Sequence, residues 1–322
     1  MTHAQIRPLG ALALAAAGAL LFAGCASPQG EAGTPPQATE KAASEITVTH
    51  AQGETVVPVN PQTVLVLDFG VLDTLDALDV DVAGVPKQNL PKYLTSYASD
   101  DYVDLGSLKE PNYEAVNAAA PDLIIVAQRS ASALPELSAI APTIDLTTDP
   151  ADYLESFRAN AETLGEIFEK QDEVDTAFAA IDEKIAAVQK LTPDAGTGLI
   201  VMTNAGEVTA FGPGSRFGWL HTELGLTAAV PDVDASTHGD PISFEFIREA
   251  NPDWLFVVDR DVAVGESGGA AALTVLDNEV VSGTTAWQQD QVVQLDGTAW
   301  YIVISGLTAI NTMIDEVADA LA

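Results

Sequence analysis

Cysteine and basic residues are what this sequence has least of: one Cys among 322 residues, and thirteen Lys and Arg against forty-seven Asp and Glu. A lone cysteine excludes an internal disulfide. The formal charge of -34 excludes nucleic acid as a partner, because phosphate backbones would be repelled and no basic patch stands out against the acids. Catalytic signatures are missing too. There is no Gly-x-x-x-x-Gly-Lys loop for nucleoside phosphates, no His-Glu-x-x-His pair for zinc, and no nucleophile elbow after a strand. Asp68-Phe69-Gly70 has the letters of a kinase fragment without any companion motif, and reads more simply as the end of a strand. What the chain does have is apolar material. With 47% hydrophobic residues it can fill a folded body of one or two domains.

The N-terminus is the one place where apolar residues run on. Arg7 precedes a stretch over residues 9–23 that ends in small residues and Cys25. A membrane span needs about 20 consecutive apolar residues. This run stops short and gives way to a polar, Pro-rich segment, so residues 1–24 read as a signal peptide. Leu21-Phe22-Ala23-Gly24-Cys25 resembles the lipobox of bacterial lipoproteins, which makes Cys25 the lipidated first residue of the mature chain and residues 25–45 its linker. The alternative is a chance cysteine beside an ordinary cleavage site. A lipidated chain of this kind sits on the outer face of the cytoplasmic membrane, and its acidity suits an exported, soluble body or a saline habitat.

Beyond the linker, short apolar runs at 64–67, 82–85, 123–126 and 144–146 read as buried strands separated by helical spacing. Alternation of this kind predicts α/β layers around a mainly parallel sheet. Residues 152–191 differ: Leu154, Phe157, Ala161, Leu164 and Phe168, then Val174, Phe178, Ile181, Ile185 and Val188 keep steps of three and four, the pattern of a long amphipathic helix. Its register slips between Phe168 and Val174, which predicts a bend or break near Lys170. Strand patterns resume at 199–202, 208–211, 254–258 and 292–295, and a closing helix is expected over 308–321. The plan is therefore an N-terminal α/β lobe over 46–150, a backbone helix over 151–195, and a C-terminal α/β lobe over 196–322. One echo links the lobes. Asn112-Tyr113-Glu114 precedes Pro121-Asp122-Leu123, and Ser243-Phe244-Glu245 precedes Pro252-Asp253-Trp254, with identical Glu-to-Pro spacing. Duplication explains this better than a coincidence of αβ turns.

Only five arginines follow the signal segment, and three of them, Arg129, Arg216 and Arg260, sit where a strand or a Gly-rich turn ends. Strand ends are where α/β sheets bind ligands. Three converging guanidinium forks would suit an anionic, oxygen-rich ligand, whereas any one of them alone could be paired with a neighbouring acid. Among the histidines, His221 falls in a helical stretch and His238 in a loop before Gly239.

Taken together, Asp68-Phe69-Gly70 with Asp73-Thr74-Leu75-Asp76-Ala77-Leu78, Gly84-Val85-Pro86-Lys87-Gln88 with Leu90-Pro91-Lys92-Tyr93-Leu94, Gly212-Pro213-Gly214-Ser215-Arg216-Phe217-Gly218, and Ser236-Thr237-His238-Gly239 resemble the iron-siderophore periplasmic-binding family of ABC importers. The resemblance is greatest to its ferric-catecholate lipoprotein members, of the petrobactin and enterobactin type, and runs from residue 46 to the C-terminus. It implies a class III periplasmic-binding fold, two Rossmann-like lobes joined by a long helix. It implies a binding role without catalysis or cofactor, in a monomer that delivers a ferric siderophore to an ABC permease and its ATPase. Carried over residue by residue, Arg129, Arg216 and Arg260 would cradle the anionic complex. His238 and Tyr301 would approach the iron where a tetradentate siderophore leaves two positions open. Glu114 and Glu245 would dock on the permease. Ferric iron is a hard cation that suits a phenolate, with imidazole an acceptable companion. The competing readings are haem, a corrinoid or a hydroxamate siderophore as ligand, and, in another class, an enzyme using His238 with Asp240 or Glu245.

Overall fold

The computed structural model describes residues 44–233, 239–266 and 271–322. The signal peptide, Cys25 and His238 therefore lie outside the described residues.

Continuous apolar runs become strands with both faces covered, which is how parallel sheets are buried. Strands β3 (Val64–Val66) and β6 (Leu123–Val126) are buried at every position. With β4 (Gly84–Val85), β5 (Val103–Asp104) and β7 (Thr143–Asp145) they form an all-parallel sheet in the order β5-β4-β3-β6-β7. A hairpin that the sequence pattern did not reveal, β1 (Glu45–His50) and β2 (Gly53–Pro58), lies beside β7, where Ala51 donates to the Asp145 carbonyl at 3.1 Å.

The second sheet is mixed. Its strands β8 (Thr197–Asn204), β9 (Glu207–Phe211), β11 (Asp240–Ile242), β12 (Trp254–Asp259) and β13 (Val292–Leu295) run in the order β11-β9-β8-β12-β13, and β10 (Thr227–Ala228) also pairs with β8. The β8, β12 and β13 pairings are parallel, and β9 is antiparallel to both of its neighbours. A tight turn at Ala205 and Gly206, both at positive φ, makes the β8–β9 hairpin and departs from the expected parallel pattern.

Helix α1 (Phe69–Ala77) follows β3 and is capped by Asp68, whose carboxylate accepts from the Gly70 and Val71 amides. The expected break in the long helical stretch falls at Glu169, which takes φ 55°. There the chain reverses, giving α3 (Tyr153–Phe168) and α4 (Gln171–Val188), once α2 (Tyr113–Ala119) is counted before them. Phe157 meets Phe178 at 5.3 Å and Arg158 meets Asp182 at 2.6 Å, so the two helices pack antiparallel and α4 alone runs on to the second sheet.

The repeated unit has the same construction twice. Helix α2 is capped by Asn112 and ends in left-handed Ala120; helix α5 (Phe244–Ala250) is capped by Ser243 and ends in left-handed Asn251. The Pro-Asp that follows each sends its carboxylate to the start of the neighbouring strand: Asp122 accepts from Thr63 at 2.8 Å and Asp253 from Thr197 at 2.7 Å. Each unit then runs into a buried strand, β6 or β12, that ends close to an arginine. Finally α6 (Leu307–Leu321) returns from the second sheet to pack its apolar face on α1 and α4.

Candidate functional site

Each arginine is held by local geometry. Arg129 lies in a 3-10 turn after β6, entered through Gln128 at φ 48°, whose amide and side chain bond the hydroxyls of Thr147 and Thr148. Arg216 sits in the Gly-rich turn closed by the Gly212 carbonyl, which accepts from the Ser215 amide and hydroxyl. Gly218 is required there, since a Cβ would fall 2.0 Å from the Pro213 oxygen. Arg260 opens the short helix Arg260–Ala263, capped by Asp259 at the end of β12.

The fourth group arrives on a π-helical turn, Thr298–Val303, in which Ile304 donates to the Ala299 carbonyl. Single π turns are frequent at functional sites. Successive residues on it face different ways. Trp300 turns inward, stacked 5.2 Å from Trp219 and donating to Glu316 at 2.8 Å, while Tyr301 turns to the arginines and stays half-exposed.

All three arginines converge on Tyr301. Their guanidinium carbons lie 5.3, 4.9 and 5.9 Å from its ring centroid for Arg129, Arg216 and Arg260. Arg129, from the first sheet, donates to the carbonyls of Tyr301 at 2.5 Å and Ile302 at 3.0 Å. Arg216 bonds the same Tyr301 carbonyl at 3.3 Å, and Arg260 donates to the Tyr301 hydroxyl at 3.2 Å and to Asn204 at 3.0 Å. Arg260 also pairs with Asp261 at 3.7 Å and Glu266 at 3.5 Å. Arg129 and Arg216 form no ion pair among the described residues; their guanidiniums meet main-chain carbonyls and aromatic faces instead.

The electrostatics follow. Burial, with Arg129 beside it, pushes the Arg216 guanidinium down to about 10, against the opposing pull of Tyr301. Burial raises the Tyr301 phenol, but the hydrogen bond and charge of Arg260 and the charges of Arg129 and Arg216 together outweigh it and hold the phenol below its ordinary value. Below the cluster, burial lifts the Asp68 carboxyl to about 6 despite amide bonds and Arg129. The arrangement is a cationic cluster around the Tyr301 ring with Arg260 on its phenol oxygen, suited to an oxygen-rich anion and to a hard metal ion that the anion carries. A groove of about 760 Å³ adjoins it, lined in part by Tyr93, Val262, Asp296, Ile302 and Glu316.

Of the residues singled out from the sequence, the cluster brings together Arg129, Arg216, Arg260 and Tyr301. It does not include Glu114 or Glu245, which are exposed as the second residues of α2 and α5. A bond from its own backbone amide, and then the Ser243 hydroxyl, hold the Glu245 carboxyl below its ordinary value. Asn204 was missed, although its place at the end of β8 is the same signal that marked the arginines.

The sequence matches the periplasmic binding protein family over residues 64–299. It is 44% identical over 308 residues to the petrobactin-binding protein YclQ of Bacillus subtilis, covering 94% of this chain and 96% of that one. The crystal structure of YclQ superposes with a TM-score of 0.84 over 86% of this chain and 99% of that chain. The ferric-anguibactin-binding protein FatB of Vibrio anguillarum is 37% identical over 84% of this chain and 86% of its own. The periplasmic catecholate-siderophore binding protein VctP from Vibrio cholerae matches with a TM-score of 0.82 at 35% identity, over 86% of this chain and 100% of that chain.

Proposed function

The chain belongs to the periplasmic binding protein family, and from that premise we propose that it captures a ferric siderophore of the catecholate class outside the cytoplasm and delivers it to an ABC permease. The observation that carries the reading is the convergence of Arg129, Arg216 and Arg260 on Tyr301. Two of these guanidiniums have no carboxylate partner among the described residues, and a ferric catecholate supplies the missing negative charge. The relatives named for petrobactin, anguibactin and catecholate binding support the same ligand class.

In this reading the arginines bind the complex through charge-assisted hydrogen bonds. Tyr301, whose phenol loses its proton more readily than usual, and His238 complete the iron's coordination when the siderophore leaves positions empty. The iron arrives as cargo. The lobes of residues 46–150 and 196–322 close on it about the helical segment 151–195, Glu114 and Glu245 meet the permease, and a lipid on Cys25 holds the protein at the membrane surface. The protein acts as a monomeric binder, not as an enzyme.

The test is a titration against a panel of ferric siderophores, read by the fluorescence of the buried Trp219 and Trp300, which lie just behind Tyr301. Anionic ferric catecholates should quench strongly at low concentration, whereas neutral ferric hydroxamates, haem and corrinoids should not. Preference for any of the latter would refute the assignment.

A further inference from the structure

The sequence places Asp73 in the middle of α1, where a carboxylate has no helix of its own to cap. It is nonetheless completely buried, and three donors converge on it. The amides of Thr308 and Ala309, at the start of α6, reach it at 2.7 and 3.1 Å, and the Tyr93 hydroxyl at 2.5 Å. It thus caps a 15-residue helix that returns from the other sheet.

The chain between that cap and Tyr301 is short and has almost no slack. Gly306 lies so close to Asp73 that a Cβ would stand 2.5 Å from the carboxyl carbon, and a Cβ on Gly70 would stand 1.9 Å from the Ser305 oxygen. Between them Ile304 is held at φ 69°, ψ -58°, a γ-turn of the rare positive-φ form, closed by Ser305 donating to Val303 at 2.8 Å. A β-branched residue at positive φ is strained and persists only where its surroundings over-determine it. Here the surroundings are Asp73 and Gly70 on α1, and Tyr153, whose hydroxyl donates to the Ile304 carbonyl at 2.5 Å. The Ile304 amide in turn closes the π turn that carries Tyr301.

We infer that Asp73 is the positioning residue for Tyr301: by anchoring the start of α6 it holds the strained turn at Ile304 and sets where the phenol points among the arginines. Asp73 touches no ligand; it acts through the main chain that joins Tyr301 to Thr308. The inference rests on the reading of Tyr301 as an iron ligand. A carboxylate is needed, because asparagine would present its own NH2 group to at least one of the three donors.

A double-mutant cycle tests it, with affinity measured for one ferric tetradentate and one ferric hexadentate catecholate. Asp73→Asn and Tyr301→Phe should each weaken the tetradentate complex about tenfold or more and leave the hexadentate one within about twofold. The double variant should be no worse than Tyr301→Phe alone, because an energy routed through the phenol can be lost only once. The charge-transfer band of the tetradentate complex bound to Asp73→Asn should move to where Tyr301→Phe puts it. Additive losses, or equal losses for both complexes, would show Asp73 to be a structural anchor only. Tyr301→Phe without effect on the tetradentate complex would instead overturn the iron-ligand reading and this inference with it. Should Asp73→Asn fail to fold, Gly306→Ala pushes the same segment off the same carboxylate and must give the same pattern.

Discussion

Replacing Arg216 with methionine should make the ligand-free protein more stable while making it a poorer binder. Arg216 is half-buried, has no carboxylate partner among the described residues, and faces Arg129; its guanidinium sits at about 10 rather than 12.5. A depression of that size corresponds to roughly 3 kcal/mol of native-state cost, good to about 1.4 kcal/mol. The folded pKa lies below the unfolded one, so the cost is fully present at neutral pH and is lifted only as the pH rises through 10. Against it stand one bond to the Tyr301 carbonyl at 3.3 Å and the stacking on Phe217 and Tyr301, at 5.1 and 4.9 Å. Together these contribute about 1 to 2 kcal/mol. Methionine keeps most of the stem's packing without the charge, so a net gain of about 1 to 2 kcal/mol is expected, or several degrees in Tm. Affinity for a ferric catecholate should fall by about 1.5 to 3 kcal/mol, the contribution of a charge-assisted bond to a desolvated anion. Thermal and urea unfolding of both ligand-free proteins, with binding titrations alongside, measure the two quantities. A ligand-free variant less stable than the parent by 1 kcal/mol or more would show that Arg216 is satisfied by its carbonyl partner, and would refute the idea that its charge waits for an anion.

Asp68 and Asp73, both lifted to about 6 by burial from the ordinary 3.8, predict stability that rises on mild acidification. The folded pKa values exceed the unfolded ones, so the native state takes up protons as pH falls through 6 and gains roughly 3 kcal/mol per group by about pH 4. Urea unfolding between pH 7.5 and 5 checks this, and Asp73→Asn should remove its share of the slope; a flat or falling profile would contradict it. Glu114→Ala and Glu245→Ala should leave siderophore affinity intact and impair uptake through the cognate permease, whereas lost affinity would move these acids into the pocket. Cys25→Ser should release the protein from membranes, and a wild-type protein recovered wholly unlipidated would end the anchor hypothesis.

Strands such as Val64–Val66 and Leu123–Val126 were legible because continuous burial leaves an uninterrupted apolar run, and the break at Glu169 because a helix cannot slip its register without one. The β1–β2 hairpin was not legible: Glu45–His50 alternates burial weakly and borders a polar linker, so its pairing is fixed by β7 rather than by its own pattern. The arginines were legible at strand ends. Asp73 was not. An acid inside an amphipathic helix reads as solvent-facing, and only the return of α6 to α1, more than 230 residues on, supplies the donors that bury it.

The site combines repeated and unrepeated parts, and the division bears on what each can select. Arg129 and Arg260 come from the same unit built twice, a capped helix, a left-handed residue, Pro-Asp and a buried strand, each tied by its aspartate to the strand beside it. Such ends present charge from two sheets to a common space, and charge discriminates among ligands only by their net sign and size. Tyr301 has no counterpart in the first sheet. It is delivered by a π turn, a strained Ile304 and a helix capped from outside, and a phenol oxygen distinguishes a metal ion with an open position from one without. Substitutions at Arg129 or Arg260 should therefore scale the affinity for every anionic complex together, while those at Tyr301 or the residues that hold it should change the order of preference among them.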